Sequence, residues 1–211
     1  MSADRAPGAP DAAPGGLPSR GDARVTVLHT GYARRGPEEL RVGSTVGLVV
    51  SGDAVVVVDP GMVARQELIL GPLRDAGLSP DDVTDVVVSH HHPDHTVNVG
   101  LFGGARVHDH QAVYRGDLWV PTPAEGRQVA PDVRLAATPG HTREDVSTLV
   151  WTPDGVVVFT HAWWTAEGPA EDPYAPDREV LRASRERLLA VATTVLPGHG
   201  EAFRPGPGTP R

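Results

Sequence analysis

The residues most able to do chemistry lie together in Ser89-His90-His91-His92-Pro93-Asp94-His95, a His-x-His-x-Asp-His pattern. They follow a β-branched apolar run, Val83 to Val88, and precede Thr96 to Leu101, which can open a helix. On an extended backbone, residues two apart point to the same side. His90 and His92 can therefore converge on one metal ion while His91 points away. Asp94 and His95 follow on the turn and can face a second position nearby. Neutral imidazoles with a carboxylate are the donors that borderline divalent metals such as zinc prefer. A lone histidine is more often a packing or surface residue, but this spacing points to a metal centre.

A pair of metals, held about 3.5–4 Å apart in hydrolases, needs further ligands. Three later histidines each sit where a strand gives way to a loop: His141 in Thr138-Pro139-Gly140-His141-Thr142, His161 in Phe159-Thr160-His161-Ala162, and His199 in Leu196-Pro197-Gly198-His199-Gly200. With these motifs in this order, the chain resembles the metallo-β-lactamase-fold hydrolases from about Val25 to Phe203. The resemblance implies an α+β fold, a four-layer αββα sandwich. It also implies a first metal on His90, His92 and His141 and a second on Asp94, His95 and His199. The expected cofactor is zinc, two ions, with iron or manganese as substitutes. In that family an aspartate placed like Asp59 supports the first metal's histidines from behind, where it would fix a ligand's tautomer. Asp59 could equally be a turn former.

The chain departs from the family at one ligand. Most relatives have an aspartate bridging the metals where Thr160-His161 stands here. A carboxylate can place oxygen between two cations, whereas the nitrogens of an imidazole diverge. Three readings of His161 are open: a ligand of the second metal beside Asp94, His95 and His199; a residue in a site that holds only one metal firmly; or an uncoordinated acid or base. The first is favoured, because His161 ends a strand as the other ligands do.

The elements that must position these residues read as follows. Strands are expected at Val25–His29, Val42–Val50 and Ala54–Asp59, with Ser51-Gly52-Asp53 as a hairpin signal between the last two. The run Val55 to Val58 is apolar on both faces, as in a sheet covered on each side. Val63 to Ala76 has helical spacing and Gly77 at its end. Ala105–His110, Val133–Ala137, Val146–Trp151, Gly155–Thr160 and Thr194–Leu196 read as strands, and Asp177–Ala192 as a helix. Thr30–Arg41 reads as a solvated loop, at the place of a hairpin loop that overhangs the site in the family it resembles, and Tyr114–Pro131 reads as irregular. Tyr32, Trp119, Trp163 and Trp164 are candidates for the substrate pocket, with one of the paired tryptophans at its rim and the other packed inward. His108 and His110 share a face of a short strand, where a structural role is favoured; His29 is unassigned. Three segments are expected: a disordered Ala/Pro/Gly-rich leader over residues 1–22, one domain over 23–204, and a loose tail over 205–211.

Composition narrows the function. The chain has 211 residues, enough for a domain with a real core. It has no cysteine, which rules out disulfides and thiolate ligands. Its net charge of −8 disfavours nucleic acid as a partner, since such proteins carry a basic face. Arg178, Arg182, Arg185 and Arg187 form the only local basic cluster, and Glu179 and Glu186 interleave it as on a solvated helix face. No stretch approaches the roughly 20 apolar residues of a membrane span, and no apolar signal core opens the chain. A soluble, cytoplasmic protein acting on a small molecule is expected; its oligomeric state is not legible. The reaction expected is hydrolysis by a metal-activated water of a thioester, lactone or other small ester, with Asp94 orienting the nucleophile or passing its proton. The alternatives are a phosphodiesterase or nuclease-like hydrolase and a non-catalytic metal-binding module.

Overall fold

The computed structural model describes residues 20–211. Most of the proposed leader therefore lies outside the described residues. The chain opens with strands β1 (Arg24–His29), β2 (Tyr32–Arg35), β3 (Leu40–Gly43), β4 (Val46–Ser51) and β5 (Ala54–Val58). Helix α1 (Glu67–Asp75), strand β6 (Asp85–Val87), the single helical turn α2 (Pro93–Thr96) and β7 (Arg106–His108) follow. Next come β8 (Ala112–Arg115), β9 (Leu118–Pro121), β10 (Gln128–Ala130), β11 (Val133–Ala137), β12 (Val146–Thr152) and β13 (Gly155–Thr160). Helix α3 (Arg178–Leu189) and β14 (Thr194–Pro197) end the series.

The strands build a seven-stranded sheet, β1-β4-β5-β6-β7-β8-β9, and a five-stranded sheet, β10-β11-β12-β13-β14; β2 and β3 form a separate hairpin. The alternation of side chains along β5 shows why the sheets stack. Val56 and Val58 join the inter-sheet core with Leu135, Val150 and Phe159. Val55 and Val57 face the other way, against Ile69 and Leu73 of α1. On the second sheet, Leu149, Val156 and Val158 turn outward to Leu181 and Leu188 of α3. The order helix, sheet, sheet, helix is the expected αββα sandwich.

Two parallel pairings fix where the loops meet. β5 pairs with β6, and β13 with β14, both in parallel. Such pairs need a crossover, supplied by α1 and α3. The C-terminal ends of these strands then lie at one edge, the usual site position in sheets of this type.

Several local expectations are corrected. Val42–Val50 is not one strand: it breaks at Ser44-Thr45, because their amides donate to site loops, Ser44 N to Asp94 O (3.3 Å) and Thr45 N to Gly198 O (2.8 Å). Thr30–Arg41 is not a loop but contains the β2–β3 hairpin. Tyr114–Pro131, read as irregular, contributes β9 and β10 and completes the β8–β9 hairpin, whose turn uses Gly116 at φ +59°. α1 is shorter than its apolar spacing suggested. Asp177 caps α3, accepting from the amides of Glu179 and Val180. The buried indole of Trp163 needs an acceptor and donates to Pro210 O at 2.8 Å. Among the described residues, no helix is long and apolar enough to cross a membrane.

Candidate metal centre

The loop after β6 delivers the motif. Its entry is pinned by Asp59, the residue after β5, which holds a left-handed backbone at φ +51°. Aspartate tolerates that conformation better than most residues. Its Oδ1 accepts from Ser89 N at 2.7 Å and its Oδ2 lies 2.9 Å from His95 Nδ1. Pro93 opens α2, a position where its missing N–H leaves no intrahelical bond unmade. Gly61 has to be glycine, since a Cβ there would run into the Asp94 carbonyl.

The donors fall into two adjoining sets. In the first, His90 Nε2 lies 3.0 Å and His141 Nε2 3.1 Å from His92 Nδ1. In the second, Asp94 Oδ2 lies 3.6 Å from both His95 Nε2 and His199 Nε2. Each set can gather one donor atom per residue within 4.8 Å. The far nitrogens show which tautomer each ring adopts. His141 Nδ1 is 2.8 Å from Asp172 Oδ2, His95 Nδ1 is on Asp59, and His199 Nδ1 donates to Gly43 O at 3.0 Å. A proton held at Nδ1 leaves Nε2 as a lone pair aimed into the site, the arrangement ligating histidines need. His95 Nε2 is buried with no hydrogen-bond partner among the described residues. An inward lone pair without a donor fits a cation, and this donor set fits a borderline divalent one.

His161 lies between the sets. Its ring centroid is 4.1 Å from that of His141, 4.8 Å from His90, 4.9 Å from His199 and 5.0 Å from His95. Its Nε2 is 3.0 Å from His199 Nε2. Gly198 permits this packing: a Cβ there would collide with the His161 ring.

Burial favours the neutral imidazole at His90, His92, His161 and His199. It holds His90 and His161 well below the ordinary histidine pKa, helped by the surrounding histidines. Burial, then His95, pushes His199 down to about 4; burial, then His141, lowers His92. Ligation requires the neutral form. In His95, burial acts the same way but is outweighed by Asp59, Asp94 and Asp145, so its pKa is raised.

The structure thus brings together His90, His92, Asp94, His95, His141, His161 and His199. Asp59, expected behind the first-set histidines, instead lies against His95 of the second set, because the left-handed turn after β5 aims it at α2. The site opens into a cleft of about 200 Å³. His92, Asp94, His141 and His199 form its floor, with Leu40 and Val42 of β3 and Trp164 and Tyr174 on the walls. Trp164 stacks on Tyr174 with centroids 5.7 Å apart, while Trp163 is 0% exposed. Tyr32 and Trp119 do not line the cleft. Tyr32 packs edge-on against His29, and its hairpin partner β3 supplies the wall instead. Trp119, 57% exposed on the edge strand β9, packs on Tyr114. His108 binds Asp85 at 2.7 Å. Arg185 is not on a solvated face: it is buried and donates to the carbonyls of Ala162, Pro169 and Ala170.

Sequence reasoning missed Asp172, whose Oδ2 also accepts from Trp164 Nε1 at 2.8 Å. The only signal was general, that a ligating histidine needs an acceptor behind it; nothing in the spacing singled out this aspartate. The description "Metallo-beta-lactamase superfamily" belongs to the family profile that matches residues 40–200. The chain belongs to the metallo-β-lactamase superfamily. Metallo-beta-lactamase domain-containing protein 1 of Xenopus laevis is 32% identical to it over 197 residues, 85% of this chain and 81% of the relative. The Homo sapiens protein of that name is 37% identical over 175 residues, 77% of this chain and 64% of the relative. Solved metallo-β-lactamase-fold structures align as well. A quorum-quenching N-acyl homoserine lactone lactonase has TM-score 0.63 and 21% identity, covering 86% of this chain and 92% of that one. A protein in a di-iron-bound form has TM-score 0.60 and 24% identity, covering 81% and 92%. The superfamily is one of metal-dependent hydrolases in general, and the donor geometry here fits that chemistry.

Proposed function

We propose that this metallo-β-lactamase superfamily member is a hydrolase that uses a metal-activated water on a small ester, thioester or lactone. The observation that carries the reading is the tautomer pattern: His95, His141 and His199 each have the far nitrogen occupied and the near one presented to a cleft. Divalent cations bound there would supply a water acidified to a pKa of about 7 and polarise the carbonyl under attack. His90, His92 and His141 would hold one ion and Asp94, His95 and His199 the other, with His161 as a further ligand on the second. Zinc suits the imidazoles; iron suits them too, and a structural neighbour carries iron. Asp94, 13% exposed at the cleft floor, is placed to orient the attacking water and accept its proton. Leu40 and Val42 on one wall and the Trp164–Tyr174 stack on the other suit an uncharged acyl group. The lactonase among the structural neighbours and the net charge of −8 favour a small neutral ester over a polyanion.

The test is turnover by the zinc-loaded and iron-loaded protein of p-nitrophenyl esters, acyl thioesters, lactones and bis-p-nitrophenyl phosphate. Ester, thioester or lactone hydrolysis that His92→Ala abolishes supports the reading. Turnover of the phosphodiester alone would replace it with a phosphodiesterase. Full metal occupancy without turnover would replace it with a binding module.

A further inference from the structure

His91 is the one motif histidine the metal centre does not use. It sits between two ligands yet its side chain turns to the opposite side of the loop, where it is 50% exposed. There it meets His110, from the turn after β7, and Glu144, from the loop after β11. One donor atom from each of His91, His110 and Glu144 lies within 4.8 Å of the others. The two rings meet edge to face with centroids 6.0 Å apart, and His110 Nδ1 lies 3.9 Å from Glu144 Oε2.

Two features distinguish this trio from a chance surface group. The first is an orphan: His110 Nδ1 is inaccessible to solvent and has no hydrogen-bond partner among the described residues. The second is the support behind His91. Asp109 Oδ2 lies 3.1 Å from His91 Nε2 and also accepts from Tyr114 Oη at 2.6 Å. Asp109 Oδ1 accepts from the amides of Gln111 and Ala112, both at 2.9 Å. A buried, fully bonded carboxylate behind an imidazole is how metal-ligating histidines are oriented. A ring held through Nε2 offers Nδ1. On Glu144, Oε1 already accepts from His91 N at 3.1 Å, which leaves Oε2 on the side of His110.

We propose that His91, His110 and Glu144 form a second, separate metal site that takes a borderline divalent cation such as Zn²⁺. Two imidazoles and one carboxylate match that metal class, and three protein ligands leave coordination positions open to water. The ion joins three segments: the loop after β6, the turn after β7, and the loop after β11 that also carries His141 and Asp145. Its role is to clamp the two ligand-bearing loops together from outside the cleft. The assignment does not depend on the substrate, nor on how many ions the buried centre holds.

The experiment counts zinc on the full chain. Wild type, His110→Ala and Glu144→Gln are equilibrated by dialysis against a series of buffered free Zn²⁺ concentrations, and zinc per chain is read by elemental analysis. Wild type is expected to bind one equivalent more than His110→Ala, with Glu144→Gln weakening that equivalent at least tenfold. Thermal unfolding gives an independent readout: the last zinc equivalent raises the wild-type midpoint, as binding to the folded state alone must, and leaves that of His110→Ala unmoved. Equal stoichiometry and affinity in all three proteins would overturn the assignment.

Discussion

His161 Nε2 stands 3.0 Å from His199 Nε2, while the other nitrogen of His161, Nδ1, is buried with no partner among the described residues. In His95, His141 and His199 the far nitrogen is occupied and the tautomer is set; in His161 neither is. The ring fills the space between the two donor sets, where a bridging carboxylate is expected from the family pattern. A cation there would take the Nε2 lone pair and let Nδ1 carry the proton. In the His110→Ala background, which removes the outer site, His161→Ala is expected to lower the metal content of protein purified without added metal from near two per chain toward one. His161→Asp should keep it near two, since a carboxylate can span both positions. Elemental analysis of the three proteins decides this. Two ions retained in His161→Ala would remove His161 from the ligand set.

Asp172 ties a ligand to a cleft wall, since its Oδ2 takes both His141 Nδ1 and Trp164 Nε1 at 2.8 Å. Its carboxyl is kept below the usual aspartate pKa: burial opposes ionisation, but the hydrogen bonds from His141, the Tyr174 amide and Trp164 outweigh it. Asp172→Ala is expected to weaken metal binding by about 10–100-fold, the usual result of removing a ligand's supporting acceptor. Releasing Trp164 should also raise KM. Chelator competition measures the first effect. Affinity equal to wild type would show that His141 needs no anchor.

What the sequence made legible, and what it left hidden, divides along physical lines. The candidate donors were readable because their constraint is local: alternation along an extended chain faces His90 and His92 the same way, and Gly198 stands beside His199 because the backbone must pass close to His161. The Val55–Val58 run was readable because both faces of β5 are covered. The cleft walls were not, because they depend on which distant segments fold over the site. Leu40 and Val42 reach it only because the chain breaks at Ser44-Thr45 to bond the site loops. Asp172 reaches His141 only across a 31-residue separation. Tyr32 was placed by the family's overhanging hairpin loop and Trp119 by its irregular segment, and the packing turned both side chains elsewhere.

Trp163 and Trp164 are neighbours in sequence and opposites in role. Trp163 is fully enclosed against α3 and Phe203, and its N–H anchors Pro210. Truncating it to alanine should cost about 3–5 kcal/mol of stability. Trp164 sits at the cleft on Tyr174, so Trp164→Ala should cost about 1 kcal/mol or less and appear instead as a raised KM. Urea denaturation and steady-state kinetics on both variants separate the effects. A KM unchanged in Trp164→Ala would take that residue out of substrate binding.

Asp85 gives a pH dependence that is independent of the metal centre. It is fully buried at the start of β6, where Arg106 donates to both oxygens and His108 Nε2 lies 2.7 Å away. Burial raises a carboxyl pKa, but here the bonds from His108, Arg106 and Thr84 more than compensate, and the group stays below the ordinary aspartate range. The folded pKa is thus lower than the unfolded value of about 3.9. As pH falls, the unfolded chain takes up the proton first. The stabilisation is complete above about pH 5 and is lost as pH drops through the folded pKa. Asp85→Asn should cost about 3 kcal/mol at pH 7, because it leaves Arg106 and His108 facing a neutral partner. The gap between variant and wild type should then shrink between about pH 5 and pH 3. Guanidinium unfolding across that range measures it, and a gap that stays constant with pH would mean that the charge on Asp85 contributes nothing to stability.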